Sequence, residues 1–281
     1  MIPPISVAEN YDQYFASRLY DRRYPRPNPS SLAIIIGEID ALGKRVLDVG
    51  CGNGRYAETL LARTDATIVA CDISREAIDE LTSRCFEHVA SGRLCPLLGD
   101  PTVVADSIGR SEKFDLAIMV FGVLGHIYPR SLRRATLTTI HSLLRPGGRI
   151  VVTVPNAARR FSRQQASSQS LVEQGHLEAG DILYERTAHD RAVKMYYHLY
   201  SLQEFEQELE QQGFRLIRLT AESILPESGI VRSRLLRAID RFLARILPLR
   251  HAYGFLAVAE AVSESKQGED LPQPSDFSQP A

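Results

Sequence analysis

The sequence has no excess of charge of either sign: 33 lysines and arginines stand against 34 aspartates and glutamates, a formal net charge of −1 over 281 residues. No overall field therefore attracts a polyanion, which disfavours a general nucleic-acid-binding protein. Cysteine is scarce as well. The four cysteines form neither a CxxC pair nor the framework of a small secreted domain, so we expect free thiols in a reducing cytoplasm. They are Cys51, Cys71, Cys85 and Cys95.

Segments that direct a chain to a membrane are also missing. The first residues, MIPPISVAENYDQYF, lack the basic and apolar regions of a secretory signal. No apolar run approaches the ~18 residues that cross a bilayer. Hydrophobic residues nevertheless make up 44% of the chain and charged residues 24%, values typical of globular proteins with a sizeable core. We therefore expect a cytoplasmic protein that is soluble or, at most, peripheral at a membrane.

Short runs of β-branched residues alternate with longer segments of helical character between Lys44 and Pro155. Ser74, directly before one of these segments, is typical of a helix N-cap. This alternation, with strands that are apolar almost throughout, predicts an α/β fold in which helices cover both faces of a parallel sheet. The predicted strands are 46–50, 67–72, 93–98, 114–120 and 149–155, and the predicted helices are 54–63, 74–90 and 131–144.

A second block of elements begins near residue 201. Ser201 and Glu204 form a capping-box pattern that opens a helix ending at Gly213, and strands are predicted at 214–220 and 253–261. We divide the chain into an N-terminal helical lid segment, a main domain, a helical insertion within that domain and a polar, proline-rich, disordered tail. Their bounds are 1–43, 44–262, about 221–250 and 263–281, and a polar loop at 159–170 is expected to border the acceptor pocket.

The stretch VLDVGCGNGRY, residues 46–56, places three glycines directly behind the first predicted strand and before a helix. Glycine allows a tight turn and lets a ligand lie against bare backbone, and the following helix offers free N–H groups. The spacing is GxGxG, with Arg55 where the nicotinamide fingerprint GxGxxG has its third small residue. The loop therefore predicts a nucleotide-like ligand without identifying it.

Three aspartates lie at the ends of successive predicted strands beside this loop. Asp48 precedes the loop in an apolar strand, where a carboxylate needs a cation or a donor, and an ammonium group on the ligand fits it. Asp72 is placed to accept hydrogen bonds from ribose hydroxyls. Asp100 is placed to accept one from an exocyclic amine such as the adenine N6. Because the carboxyl ends of parallel strands share one edge, the three acids should face one crevice.

In order and spacing, VLDVGCGNGRY, IVACDIS, LLGDP, FDLAIMVFGVLGHI and LLRPGGRIVVTVPN resemble the successive motifs of class I S-adenosylmethionine-dependent methyltransferases. The resemblance covers roughly residues 40–156 and continues loosely into the C-terminal part of the chain. It implies a Rossmann-like sheet of seven strands, mostly parallel, with an antiparallel last strand beside the sixth. It also implies S-adenosyl-L-methionine as the cofactor, and it assigns no metal ligand.

The resemblance assigns contacts to the cofactor by position. The loop glycines Gly50, Gly52 and Gly54 would contact the methionine moiety, with Asp48 near its amino group. The remaining residues would contact the ribose, the adenine and the sulfonium of the cofactor.

Asp72 would hold the ribose, and Ile73 would lie against the adenine. Asp100 and Pro101 would border the adenine edge, although Pro101 stands where the family has a small residue and has no N–H to donate. The floor under the sulfonium would be formed by Val120 and Phe121.

The acceptor must be held in line with the methyl carbon, and a base is needed only where the acceptor loses a proton. His126, after the fourth strand, is the candidate base because imidazole titrates near neutral pH; simple packing beside the cofactor is the alternative. Tyr197 and His198, in KMYYHLYS, are candidates to face the acceptor, or else belong to a strand with one buried face. Tyr11 and Tyr14, in YDQYF, resemble the lid helix of small-molecule members, or else a helix packed on the sheet.

The insertion contains a helix with two contrasting faces. From Val231 to Arg250 there are six arginines and one acid, Asp240. Such a helix lies on an anionic membrane or caps a lipophilic acceptor; docking on the domain with its basic face in solvent is the alternative. The basic stripe consists of Arg234, Arg237, Arg241 and Arg245, and the apolar face of Leu235, Leu236, Ile239, Phe242, Leu243 and Ile246.

The leading hypothesis is an S-adenosylmethionine-dependent methyltransferase acting on a small or lipophilic organic acceptor. KMYYHLYS also resembles a stretch of the tRNA wobble-uridine carboxymethyl methyltransferases, so an RNA methyltransferase stays open. The near-neutral charge and the lack of a recognisable added RNA-binding domain make nucleic acid the less favoured partner. Two further hypotheses are a cofactor-binding regulatory protein that has lost catalysis and a nicotinamide oxidoreductase. The oligomeric state is open.

Overall fold

The computed structural model describes residues 7–109, 112–188 and 191–262, without the side chains of 186–188 and 191–194. The predicted tail 263–281 and the first six residues of the predicted N-terminal segment lie outside these ranges. None of the helices within them combines the length and the hydropathy that crossing a bilayer requires.

The described strands form one large sheet and one hairpin. Their bounds are β1 (Arg45–Val49), β2 (Thr67–Asp72), β3 (Leu94–Leu98), β4 (Phe114–Met119), β5 (Leu144–Pro155), β6 (Asp181–Ala188), β7 (Arg191–His198), β8 (Phe214–Ser223) and β9 (Gly254–Ala261). Seven of them form the sheet in the order β3-β2-β1-β4-β5-β9-β8, and β6 pairs with β7 in the antiparallel hairpin. Strands β1 to β5 run parallel, whereas β9 lies antiparallel between β5 and β8. The predicted mostly parallel sheet with an antiparallel last strand is confirmed.

Helices cover both faces of the sheet. The described helices are α1 (Val7–Ala16), α2 (Leu19–Arg23), α3 (Pro29–Leu42), α4 (Arg55–Arg63), α5 (Arg75–Arg84), α6 (Phe86–Ala90), α7 (Pro101–Ser107), α8 (Val123–His126), α9 (Arg130–Leu143), α10 (Ser162–Glu173), α11 (Leu202–Gln211), α12 (Glu227–Ile230) and α13 (Arg234–Ile246). Two predicted caps are confirmed, because Ser74 accepts a hydrogen bond from the N–H of Ala77 and Ser201 accepts one from the N–H of Glu204.

Two apolar layers hold the helices to the sheet. On one face, residues of α3, α4 and α5, such as Ile35, Leu60 and Leu81, pack against β1, β2 and β4. On the other face, residues of α9 and α11, such as Ile140 and Phe205, pack against β4, β5 and β9. Because the strands are buried from both sides, their side chains are apolar almost throughout, which is the pattern that predicted the parallel sheet.

Several predicted segments differ from the structure. The polar segment 159–170 is largely helix α10, and the single helix predicted over 74–90 breaks at Cys85 into α5 and α6. Strand β5 begins at Leu144 rather than at residue 149, because a bulge in its pairing with β4 accommodates the turn before Arg149. Strand β8 continues to Ser223, which shortens the insertion at its start.

Candidate cofactor and acceptor site

A cavity of ≈ 650 Å³ opens at the carboxyl ends of β1, β2 and β4. Part of its lining consists of the glycine loop and the three predicted aspartates, and we call these residues the acidic half. The rest of the lining, which we call the aromatic half, includes aromatic rings from α1, α2 and the β6–β7 hairpin, together with several arginines. The structure thus brings the acids of three strands to one crevice, as the strand-end pattern predicted.

Neighbouring side chains pack closely against the glycine loop, and part of the loop also lines the cavity. Gly50 has φ of +67°, and a Cβ there would lie 2.5 Å from the nearest methyl carbon of Val123. Gly54 has φ of +88°, and a Cβ there would lie 2.3 Å from Leu81 Cδ1. Neither position admits a side chain. Gly50 and Gly52 line the cavity, whereas Gly54 precedes α4 and lies outside its lining.

Asp48 is a buried acid whose carboxylate lacks a full set of partners. It is 2% solvent-exposed, and its Oδ2 atom has no hydrogen-bond partner among the described residues. Burial, and then the charge of Asp72, raise the pKa of Asp48 to about 7, while Arg55 opposes the shift. A buried acid in the cavity lining, with one carboxylate oxygen lacking a donor, suits a ligand ammonium group, such as the amino-acid end of S-adenosylmethionine.

Asp72 is fixed in position by the backbone around it. Its Oδ2 atom accepts from the N–H of Gly52 at 2.8 Å, and its Oδ1 atom accepts from the N–H of Ser74 at 2.9 Å. Burial raises the pKa of Asp72, and these two N–H donors act against the increase. Each oxygen retains acceptor capacity, so a pair of ribose hydroxyls can bind here. Ile73 lines the cavity beside it.

Asp100 and Pro101 border the same half of the cavity. Asp100 is the N-cap of α7, where its Oδ1 atom accepts from the N–H of Thr102 at 2.8 Å, and Pro101 is the first residue of that helix. Proline is favourable at the first position of a helix, because an N–H there would have no partner within the helix. The missing N–H of Pro101 is therefore compatible with its place in α7.

Val120 and Phe121, which follow β4, also line the cavity. Phe121 has φ of +69°, which is uncommon for a residue with a side chain. Its ring lies 4.6 Å from the ring of Tyr24, and the guanidinium carbon of Arg55 lies 4.3 Å from its centroid. These contacts hold the strained residue in the cavity wall.

Helix α1 lies over the cavity. Tyr11 and Tyr14 line it, and Asp12 accepts from the hydroxyl of Ser74 at 2.6 Å, which joins α1 to the first turn of α5. The sequence pattern located the helix but not this connection. Because the N–H of the same Ser74 donates to Asp72, this connection joins α1 to the predicted ribose-binding acid.

His126 lies between two tyrosines at the cavity wall. Its ring stacks on that of Tyr197 at 4.0 Å and meets Tyr11 edge-on at 5.7 Å. Its Nδ1 atom lies 3.1 Å from the carbonyl oxygen of Tyr196. A carbonyl only accepts, so Nδ1 carries the proton, and in the neutral ring Nε2 is the basic nitrogen.

His198, predicted to face the acceptor, lies outside the cavity lining, and this prediction is corrected. Its side chain is 0% exposed, with Nδ1 at 2.7 Å from Asp181 and Nε2 at 3.1 Å from Glu204. Burial lowers the pKa of His198, but the hydrogen bonds to the two carboxylates outweigh it and the pKa is raised. His198 therefore joins the hairpin to α11, since β7 alternates its side chains, with Met195 and Tyr197 on the cavity side and His198 on the opposite side.

We expect His198→Leu to lower the free energy of unfolding by about 2–3 kcal/mol, because the carboxylates of Asp181 and Glu204 each lose a charge-assisted hydrogen bond, although Tyr196 and the N–H of Glu178 still donate to Asp181. The raised pKa means that the histidine's contribution is full below its unfolded value of about 6.5 and declines as pH rises through the folded value. Urea unfolding across pH measures both effects. His176→Leu, at an exposed histidine, is the control and should leave stability nearly unchanged.

Sequence reasoning missed a second set of charged residues in the cavity. Arg55 is buried, and its Nη1 atom lies 3.1 Å from Glu227. Glu222 lies nearby, and burial, then the charge of Glu227, raise its pKa to about 8. Arg160 borders the aromatic half as well, and it belongs to the segment 159–170 that the sequence predicted beside the acceptor pocket. Glu222 and Glu227 belong to β8 and α12, far along the chain from the glycine loop, so no local pattern marks them.

The fold and this site define the class of the protein. A sheet of this strand order, with a glycine loop after β1 and strand-end acids around one cavity, is that of an S-adenosylmethionine-dependent methyltransferase. A family model described as a methyltransferase domain matches residues 11–219, and the chain belongs to this family. It is a methyltransferase with S-adenosyl-L-methionine as its cofactor, which sets aside the nicotinamide hypothesis.

Among curated proteins, the chain is 30% identical over 135 residues to the tRNA (carboxymethyluridine(34)-5-O)-methyltransferase alkbh8 of Xenopus tropicalis, covering 47% of this chain and 19% of that protein. It is 42% identical over 52 residues to the ubiquinone biosynthesis O-methyltransferase of Neisseria meningitidis, covering 18% of this chain and 22% of that protein. Each match spans less than a quarter of the relative.

Among solved structures, the chain is similar to the 1,6-didemethyltoxoflavin-N1-methyltransferase of Burkholderia thailandensis. The TM-score is 0.57 at 18% identity, over 94% of this chain and 92% of that one. A Methanosarcina mazei structure described as a SAM-dependent methyltransferase gives a TM-score of 0.59 at 16% identity, over 82% of this chain and 98% of that one. At these identities the likeness shows the shared fold.

Proposed function

We propose that the chain transfers the methyl group of S-adenosylmethionine to a small organic acceptor held in the aromatic half of the cavity. The observation that carries this proposal is a single cavity of ≈ 650 Å³ with an acidic half and an aromatic, arginine-bearing half. Its size lies within the roughly 300–1,000 Å³ of small-molecule sites. The cofactor supplies an activated methyl group, and the protein supplies alignment and exclusion of water.

In this proposal the acidic half holds the cofactor. Asp48 accepts from the ammonium group, and Asp72 accepts from the ribose hydroxyls. Asp100 and Ile73 border the adenine, and the residues after β4 lie under the sulfonium. Gly50 and Gly52 let the cofactor approach the backbone directly. Gly54 contributes indirectly, because it allows the turn that leads into α4. Helix α1, with Tyr11 and Tyr14, closes over both ligands.

The aromatic half points to an acceptor with a planar part and an acidic group. The guanidinium of Arg160 lies 4.7 Å from the ring centroid of Tyr253 and 5.5 Å from that of Tyr197. Its Nε atom has no hydrogen-bond partner among the described residues. The guanidinium is planar, lies next to aromatic rings and has one N–H without an acceptor. It therefore suits a carboxylate or phosphate carried by a flat molecule.

His126 is the proposed base for an acceptor that must lose a proton, through the Nε2 atom that the Tyr196 hydrogen bond leaves basic. Glu222 supports a different role. Because burial raises the pKa of Glu222, its carboxyl group takes up a proton more readily than an exposed one, and the protonated group can donate a hydrogen bond to the acceptor.

We expect Arg160→Gln to raise KM for the acceptor on the order of tenfold to a hundredfold, because it removes a charge-assisted hydrogen bond from a partly desolvated site. Affinity for S-adenosylhomocysteine should stay unchanged. Arg160→Lys keeps the charge but loses the planar stack, so it should recover only part of the effect. Equal KM in all three proteins would show that the acceptor does not use this arginine.

A tRNA acceptor is the second candidate, favoured by the 30% identity over 135 residues to the wobble-uridine enzyme. That relative's name describes methylation of a carboxymethyl group, and a carboxylate also suits Arg160. The net charge of −1 weighs against it, since RNA affinity comes largely from neutralised phosphates.

One assay separates the candidates. The protein is incubated with tritiated S-adenosylmethionine and, in separate reactions, with small-molecule extract from the native cell or with bulk tRNA. We expect label in the small-molecule fraction, where mass spectrometry identifies the product. Label in tRNA alone would favour the second candidate. Transfer to neither pool, with intact S-adenosylhomocysteine binding, would favour a regulatory protein that binds the cofactor without catalysis.

A further inference from the structure

Helix α13 is oriented with its apolar face toward solvent. A surface helix of a globular protein normally buries that face against the core. Here the solvent-exposed fractions are 70% for Leu235, 59% for Phe242, 58% for Ile246 and 40% for Ile239. These four side chains form one stripe along three turns of a helix about 20 Å long. We call this set the apolar stripe.

The helix is attached to the domain by a different face. Asp240 is buried, and its Oδ1 atom accepts from the N–H groups of Ile224 and Leu225, each at 2.8 Å. Leu243 packs partly against the core. The carboxylate thus fixes the rotation of α13, and this rotation leaves the apolar stripe outside.

The exposed charge of the segment is of one sign. Its single acid, Asp240, is buried and occupied, whereas five of its six arginines are exposed: Arg232, Arg234, Arg241, Arg245 and Arg250. On the helix itself, Arg234, Arg241 and Arg245 share one face, which lies beside the apolar stripe. An apolar stripe edged by arginines matches the hydrocarbon boundary and the phosphate level of an anionic bilayer.

We propose that α13 docks the protein on an anionic lipid membrane, with the apolar stripe inserted below the headgroups and the arginines paired with lipid phosphates. The proposal goes beyond the methyl-transfer function and does not depend on the acceptor. Helix α12, which directly precedes α13, contributes Glu227 to the cavity lining.

Three other occupants fit the surface less well. A second copy in an antiparallel two-fold pairing of α13 would set two rows of arginines side by side. Residues 263–281 offer only two large apolar side chains, Leu271 and Phe277, for a stripe of four. An RNA would pair with the arginines, but it would leave the aliphatic side chains of the stripe uncovered, since bases stack on aromatic and guanidinium planes.

Vesicle flotation of the full chain tests the proposal. With equimolar phosphatidylcholine and phosphatidylglycerol we expect the protein to float with the vesicles, and with phosphatidylcholine alone to bind far less. Added salt should weaken the binding, because it screens the arginine–phosphate attraction. Binding that ignores lipid charge, or no binding to the anionic vesicles, overturns the proposal.

Paired variants assign the binding to α13. Leu235→Ser with Phe242→Ser should lower the partition coefficient by roughly tenfold or more, and replacement of Arg234, Arg241 and Arg245 by glutamine by on the order of a hundredfold. Phe86→Ser, at a phenylalanine 67% exposed on α6, and Arg63→Gln on α4 are the matched controls and should bind as the unaltered protein does. Equal losses in the controls overturn the assignment.

Each competing occupant has its own signature. A dimer in vesicle-free buffer that the Leu235/Phe242 variant dissociates would assign the stripe to a second copy. Retention on tRNA that the arginine variant abolishes, without vesicle binding, would assign the surface to RNA. Either result overturns the membrane proposal. Because all substituted side chains are exposed, unchanged thermal unfolding and S-adenosylhomocysteine binding confirm that the variants are folded.

Discussion

Asp72→Asn should weaken the binding of S-adenosylhomocysteine on the order of a hundredfold. In the proposed site both carboxylate oxygens accept from ribose hydroxyls, and a hydrogen bond to a charged group contributes about 1.5–3 kcal/mol. The same oxygens hold the N–H groups of Gly52 and Ser74 at 2.8 and 2.9 Å. Asparagine retains one acceptor oxygen only, so both the loop and the ligand lose a partner. Calorimetric titration measures the change.

Asp65→Asn is the matched control, because Asp65 is an exposed aspartate remote from the cavity whose partner is Lys44. Its affinity for S-adenosylhomocysteine should equal that of the unaltered protein. An Asp72→Asn protein that is folded and binds the ligand with undiminished affinity would show that the ribose lies elsewhere.

His126→Gln should lower kcat by about 10²–10⁴-fold with an acceptor that loses a proton, the range typical of a removed general base. Glutamine can still donate to the carbonyl oxygen of Tyr196, so the hairpin contact at 3.1 Å need not be lost. The acidic limb of the kcat profile against pH should disappear with the imidazole. Steady-state rates across pH, with the acceptor found by tritium transfer, test this expectation.

His176→Gln, at an exposed histidine, should leave kcat and its pH profile unchanged. If His126→Gln has normal kcat and normal affinity for S-adenosylhomocysteine, His126 is not the base. The stacking on Tyr197 at 4.0 Å would then be its main contribution to the site.

The cofactor half could be predicted from sequence because its parts are local or share one edge of the sheet. The loop from Gly50 to Gly54 is a single stretch, and Asp48 and Asp72 lie at the ends of β1 and β2. Parallel pairing of β1 and β2 brings these ends together, independently of the conformation of the other segments. The positions were therefore predictable, while their roles as ligands of the cofactor remain proposals.

The acceptor half could not be predicted in this way. Arg55 and Glu227 are 172 positions apart, and their contact depends on how the insertion folds back over the glycine loop. The β6–β7 hairpin supplies Tyr184 and Tyr197 to the cavity. Within KMYYHLYS the sequence indicated a strand with one buried face but not which face, and His198 was consequently a candidate for the acceptor.

Helix α13 shows a related limit of sequence patterns. Periodicity separated its apolar stripe from its arginines. It could not show that Asp240, a single residue outside both sets, would bind Ile224 and Leu225 and turn the apolar stripe outward. Tertiary contacts decide which face of an amphipathic helix is buried.

Asp48 also lowers the stability of the ligand-free protein at neutral pH. Its pKa is raised in the folded protein, so its protonated form favours folding, and this contribution is lost as pH rises from its unfolded value toward about 7. A ligand ammonium group reverses the balance, because it stabilises the charged carboxylate. The ligand-free protein is therefore less stable at neutral pH than it would be with an asparagine at this position.

The central claim is that Asp48 and its neighbours bind the amino-acid end of an adenosyl ligand, and one calorimetric experiment tests it most directly. S-adenosylhomocysteine, which carries the same ammonium group, is titrated into the protein and into Asp48→Asn at a series of pH values. We predict that affinity for the unaltered protein rises by up to about tenfold per pH unit below about 7 and then levels off, because one proton must leave Asp48 on binding. Asp48→Asn should bind more weakly above that pH and show no such slope. Equal affinities and identical pH profiles for the two proteins would contradict the account.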